Sequence, residues 1–144
     1  MLFIATLLGF VFTACGDGKD EPDVPTQNLE SVHENDETDM YFVFDIDMNK
    51  DESTIYMYHI QFAGAPFAMT LRVNVPVSLK NGVYTMSGTD LVADMDMGSA
   101  GWVTMSDERY QLKNLTCTVS PSAKQYSISF EAHGGTFADS GKLK

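Results

Sequence analysis

From Met40 to Lys144, apolar and polar residues alternate with a period of two, and turn-forming residues interrupt the pattern every 8–12 positions. That rhythm predicts short strands whose side chains point alternately to two faces, and the stretch shows no helical period. Phe42, Phe44, Ile46 and Met48 alternate with Val43, Asp45 and Asp47, and Asn49-Lys50-Asp51-Glu52 forms a turn. A second strand is expected over about Thr54 to Phe62. It has Tyr56, Tyr58, Ile60 and Phe62 on one face and Ile55, Met57 and His59 on the other, a pattern that fits burial on both sides. Gly64-Ala65-Pro66 breaks it, and Phe67, Met69, Leu71, Val73 and Val75 form a third set. Asn81-Gly82 is a hairpin signal between Val77-Ser78-Leu79 and Val83-Tyr84-Thr85-Met86, because both central residues of the tight turn need a positive φ.

Further along, Leu91, Ala93, Met95 and Met97 predict a strand ending at the Gly98–Gly101 turn, followed by a short strand over Trp102–Ser106. From Tyr110 to Val119 the apolar phase switches from Tyr110 and Leu112 to Leu115, Cys117 and Val119, which places a bulge near Lys113-Asn114. Tyr126, Ile128 and Phe130 form the next strand, His133-Gly134-Gly135 a turn, and Thr136 to Leu143 a closing strand. The expected fold is all-β: a small antiparallel meander of eight or nine short strands, closed as a barrel or folded as a sandwich. Closure has the advantage of removing unpaired edges.

The chain ahead of Met40 is of a different character. Leu2 to Ala14 is an uncharged apolar run, too short for the roughly 20 residues a membrane-spanning helix needs and matched to the core of an export signal. No Lys or Arg precedes it, which makes the signal atypical or sets the true start codon upstream. Gly16 to Asp39 is acidic and nearly devoid of apolar residues, and we expect an extended, flexible tether there. Of the formal net charge of −11, the stretch Asp17–Asp39 carries nine acids and one base, and Met40–Lys144 eleven acids and eight bases. The acidity therefore belongs mostly to the front segment. The body has no basic stripe, which argues against a nucleic-acid partner.

Phe12-Thr13-Ala14-Cys15 resembles the lipobox of bacterial lipoproteins, in which an aliphatic residue and two small residues precede an acylated cysteine. Thr13, Ala14 and Cys15 fit, Phe12 departs from the usual leucine, and Gly16 also fits. The resemblance implies a signal peptide over residues 1–14, lipidation of Cys15 and a membrane anchor, each buried CH₂ contributing about 0.8 kcal/mol. Lys19-Asp20-Glu21 is similar to the export tag of Bacteroidetes-type surface lipoproteins, which implies display on the outer membrane at the cell surface.

The body also looks like the calycin-like, or lipocalin-like, domains of such lipoproteins. The likeness lies in the meander of hairpins, the pairing of Tyr110-Gln111-Leu112 through Val119 with Gln125 through Glu131, and the ending Phe137-Ala138-Asp139-Ser140-Gly141-Lys142-Leu143. A lipocalin carries Gly-x-Trp in its first strand, whereas here Trp102 directly follows Gly101. The resemblance implies a barrel able to hold a small apolar or amphipathic ligand, for which Phe44, Tyr58, Met69, Trp102 and Phe130 are the candidate lining. The alternative is a filled β-domain that meets a protein or glycan with its outer face.

Candidate chemistry is sparse. Asp45, Asp47, Asn49 and Asp51 have the spacing that opens an EF-hand loop, but Lys50 stands where the loop needs Gly and Tyr56 where it needs Glu. They read better as the polar face of a strand and its turn, as do Asp94 and Asp96. His33, His59 and His133 form no HxH or HxxxH pair, so the sequence implies no metal and no cofactor. His133-Gly134-Gly135 lacks an accompanying Gly-x-Ser-x-Gly elbow and reads as a hairpin turn, and we expect no enzyme. Cys117 alternates with Leu115 and Val119 as a buried free thiol. If Cys15 is acylated, a Cys15→Ser variant loses labelling by a fatty-acid probe and leaves the membrane fraction; labelling that survives the substitution refutes the assignment.

Overall fold

The computed structural model describes residues 26–32, 40–61 and 67–144. The lipobox with Cys15, the Lys19-Asp20-Glu21 tag and His33 lie outside the described residues. Among the described residues, ten strands follow one another: β1 (Thr26–Glu30), β2 (Tyr41–Asp47), β3 (Glu52–Ile60), β4 (Met69–Lys80), β5 (Val83–Gly88), β6 (Asp94–Asp96), β7 (Trp102–Thr104), β8 (Lys113–Ser120), β9 (Gln125–Ala132) and β10 (Gly135–Lys142). All pairings are antiparallel, in the order β1-β2-β3-β4-β5-β8-β9-β10, with β6 and β7 added beside the first half of β4.

The sheet curls until its outer strands touch. Ser31, just past β1, bridges Leu143, just past β10; the Val32 N–H donates to the Lys142 carbonyl at 2.8 Å and the Lys144 N–H to the Glu30 carbonyl at 2.9 Å. The result is a barrel-like all-β fold with a short seam, as the meander predicted. A sandwich of two separate sheets is ruled out by β4. Met69–Pro76 pairs with β3 and Val77–Lys80 with β5, so one strand carries the sheet from one half to the other. Its Met69, Leu71, Val73, Val75 and Val77 keep a single inward phase throughout, and all are buried. Two sets expected as separate strands are thus one, with Pro76 pointing out at the end of the β3 ladder, where its missing N–H is least costly.

Two bulges keep apolar residues inside. His59 has φ +57 and the β3–β4 register shifts between Met57 and Ile60, so Met57 and Ile60 both face inward while Tyr56 and Tyr58 face outward. The second strand is therefore buried on one face only. Asn114 has φ +51 at the register shift between Lys113 and Thr116, the bulge expected from the phase switch. The Asn81-Gly82 hairpin also forms, with φ +53 and +79 between paired Lys80 and Val83. Predicted strand 91–97 shrinks to β6, and Met97 stands half-exposed beside a 3-10 turn at Gly98–Ala100.

The tether needs a correction. Thr26–Glu30 lies within the stretch 15–39 read as flexible, yet it is a strand, paired with β2 from Thr26↔Asp47 to Glu30↔Val43. The folded domain therefore begins ahead of Met40, by Thr26 at the latest. Its inward positions are Gln27, Leu29 and Ser31, of which only Leu29 is apolar, so hydrophobic alternation could not reveal it. Polar bonds hold it instead. Gln27 Nε2 donates to the Tyr84 hydroxyl at 2.7 Å, and the fully buried Ser31 Oγ accepts the Phe42 N–H at 2.8 Å. A Phe44→Ala substitution, at a fully buried ring, is expected to lower unfolding free energy by about 3–5 kcal/mol in urea titrations. A loss below about 1 kcal/mol would mean that Phe44 faces a space already open.

Candidate functional site

The five candidate lining residues separate. Phe44 and Phe130 are in the core and Met69 is buried at its edge, whereas Tyr58 and Trp102 stand on the outer face. The expectation that Tyr58 and Trp102 line an interior ligand space is therefore corrected. Tyr58 lies one residue from the His59 bulge, in the phase of Thr54 and Tyr56, and Trp102 pairs with the outward Asp96. The interior around Phe44 is occupied by rings: Phe42 lies 6.1 Å from Phe44, Tyr126 5.4 Å from Phe42 and 5.6 Å from Phe44, and Phe137 5.1 Å from Phe130. The Tyr126 hydroxyl, half-enclosed by this cluster, donates to Asp139 Oδ2 at 2.7 Å. Gly141 leaves space for that tyrosine, since a Cβ there would lie 3.0 Å from the hydroxyl oxygen.

On the outer face of β2, β3, β4, β6 and β7, registers bring two cross-strand rows together. One runs Val43, Tyr56, Arg72, Asp94, Thr104; the other contains the pairs Tyr41–Tyr58 and Asp96–Trp102. Tyr41 and Tyr58 stack at 4.4 Å with planes 7° apart, and Tyr56 lies 6.3 Å from Tyr58 at 18°. Tyr56 meets Trp102 edge-on at 6.2 Å, and the Arg72 guanidinium lies 4.3 Å above the Trp102 ring. Asp94 fixes that guanidinium by accepting from Arg72 Nε at 3.0 Å, and its other oxygen accepts from the Thr104 hydroxyl at 3.0 Å. All four aromatic side chains are half-buried. The Tyr58 phenol is pushed above its ordinary value, first by burial and then by Tyr41, Tyr56, Asp96 and Glu30, so carboxylate charge is felt at the centre of the cluster.

Clefts open on the surface of the described residues, three of which bear on the reading. One, about 650 Å³, lies between Glu108, Arg109, Lys113, Glu131 and His133. Several of its charged side chains are already engaged: Arg109 forks onto Asp107, Lys113 bonds Asp90, and Glu131 accepts from the Asn114 amide. His133 stacks on Tyr110 at 5.4 Å and, with Gly134, closes the β9–β10 hairpin with φ of +54 and +78. The turn reading of His133-Gly134-Gly135 stands. A second cleft of about 440 Å³ lies beside Ser120, Tyr126 and Lys142. The third, about 300 Å³, is an apolar groove of Phe67, Met69, Met95 and Met97 with His59. Among the described residues, no three His, Cys, Asp or Glu side chains are grouped to share a metal ion. Asp47, from the EF-hand-like spacing, instead caps its own turn by accepting the Asn49 N–H at 2.9 Å.

Sequence reasoning missed Tyr41, Tyr56 and Arg72 as members of one cluster. A signal was present: the outward acids Asp45 and Asp47 fix the phase of β2, and that phase carries Tyr41 outward with them. No family model, curated protein or solved structure matches the chain.

Cys117 is fully buried between β5 and β9, and burial pushes its thiol up to about 12. The folded protein keeps the proton where the unfolded chain loses it, so this contribution to stability is intact below about pH 9 and declines as pH rises towards 12. Between pH 8 and pH 10 the protein is expected to lose about 1 kcal/mol more unfolding free energy than a Cys117→Ala variant, measured by urea titration. Equal losses would show the thiol to be solvated.

Proposed function

We propose that this chain is a lipid-anchored, non-catalytic binding domain, held at the outer membrane through Cys15, whose filled β-barrel offers its outer aromatic face to a macromolecular partner. One observation carries the reading: Tyr41, Tyr56, Tyr58, Trp102 and Arg72 gather on one exposed sheet face, while the interior beneath is occupied by Phe42, Phe44, Ile55 and Met57. Tyr, Trp and Arg are the residues that dominate binding energy at protein surfaces, because each supplies large contact area together with a polar end. The Cys15-Gly16 junction and the acidic run after it support the anchor.

A second reading keeps the small apolar or amphipathic ligand but moves it from the interior to the groove of Phe67, Met69, Met95 and Met97. The exposure of Phe67, at 55%, and Met97, at 48%, favours it. Native mass spectrometry of the full chain carrying Cys15→Ser, incubated with extracted membrane lipids, separates the two. Bare protein is expected. A retained one-to-one lipid adduct would overturn the outer-face reading in favour of the apolar ligand.

A further inference from the structure

We infer that the outer aromatic face takes a cationic polypeptide, laid across the strands in extended form, in preference to a sugar. The inference rests on the outer-face reading proposed above and names the partner of that face.

The first argument is the orientation of the rings. A sugar ring binds an aromatic by lying flat on an open face, where its C–H groups meet the π-cloud. Here one face each of Tyr41, Tyr58 and Trp102 is engaged within the protein. Tyr41 lies against Tyr58 at 4.4 Å and 7°, and Arg72 lies over Trp102 at 4.3 Å. The faces so engaged are closed to a sugar, which leaves ring edges and phenol groups as the further contact groups. Edges and phenols suit a peptide, whose main-chain carbonyls and apolar side chains meet them.

The second argument is charge. The outward positions of this half of the sheet carry Glu30, Asp45, Asp47, Glu52, Asp94 and Asp96. The cations among them are matched: Arg72 with Asp94, and Lys144 with Glu30 at 2.7 Å. That leaves four acids as the carboxylate rim: Asp45, Asp47 and Glu52 at one end of the face, and Asp96 beside Trp102 in the aromatic row. Such a surface favours lysine or arginine on the partner and repels an acidic one. The third argument is size. The six strands β1, β2, β3, β4, β6 and β7, at about 4.8 Å spacing, span roughly 24 Å, which about seven residues of extended chain would cross.

Trp102 is the sole tryptophan of the chain, so its fluorescence reports on this face alone. The test titrates the full chain carrying Cys15→Ser with a nine-residue peptide of alternating lysine and leucine, and separately with soluble β-glucan oligosaccharides. The peptide is expected to shift Trp102 emission saturably, with an affinity that falls as salt is raised from 50 to 500 mM. Neutralising the rim (Asp45→Asn, Asp47→Asn, Glu52→Gln, Asp96→Asn) is expected to weaken binding about tenfold or more. Neutralising four acids elsewhere (Asp17→Asn, Asp20→Asn, Glu21→Gln, Asp23→Asn) is expected to change it less than about twofold, which separates a docking face from general attraction to an acidic chain. Equal weakening by both sets overturns the inference. A response to the glucan with none to the peptide also overturns it, while leaving the outer-face reading standing. Silence of Trp102 towards both probes overturns the two together.

Discussion

One strand holds both halves of this sheet. β4 pairs with β3 along its first part and with β5 along its last, and β6 joins the edge that β5 leaves free. Five of its side chains enter the core in one unbroken phase. A slip of one residue along β4 would turn all five outward, so the register of the whole sheet is fixed at this strand. The bulges at His59 and Asn114 serve the same constraint. Each adds one residue to a strand and restores the apolar phase, which lets β3 and β8 follow a curved neighbour without exposing Ile60 or Leu112.

The division between inside and outside follows from that phase and shapes the functional reading. Inward positions are filled with Phe, Ile, Met and Val, packed ring on ring around Phe42. Large aromatic residues that did not fit this phase were placed outside, where they stack on one another and on Arg72. An aromatic side chain left half in solvent forgoes part of its hydrophobic gain. Four of them together on one face, with a guanidinium held in place by a carboxylate, is an arrangement that core packing does not require. It is the part of the surface most in need of a reason.

Much of the fold was legible in the sequence because its core faces obey a simple period. Phe42 to Ile46, the Asn81-Gly82 hairpin, the bulge at Lys113-Asn114 and the Tyr126–Phe130 strand all follow from alternation and turn chemistry. β1 was not legible, since Gln27 and Ser31 enter the interior through hydrogen bonds and leave no hydrophobic trace. The site was harder still. Tyr58 and Trp102 were legible as large aromatics, but their side of the sheet depends on a bulge at His59 and on the pairing of β6 with β7, neither of which composition records. Phe44 and Phe130 were placed inside correctly, and Met69 lies at the margin of the core beside the apolar groove.

The seam between Ser31 and Leu143 also sets an order of events in the life of the chain. Every other pairing on the main path joins strands that follow one another or are parted only by β6 and β7, so those hairpins can form as soon as their residues exist. The seam joins nearly opposite ends of the described chain, and closing so long a loop is entropically the most expensive contact in the fold. Until that seam closes, the sheet is open and curled, with β1 and β10 as two unpaired borders. A substitution that weakens the seam would therefore expose both borders at once to the edge of a neighbouring sheet.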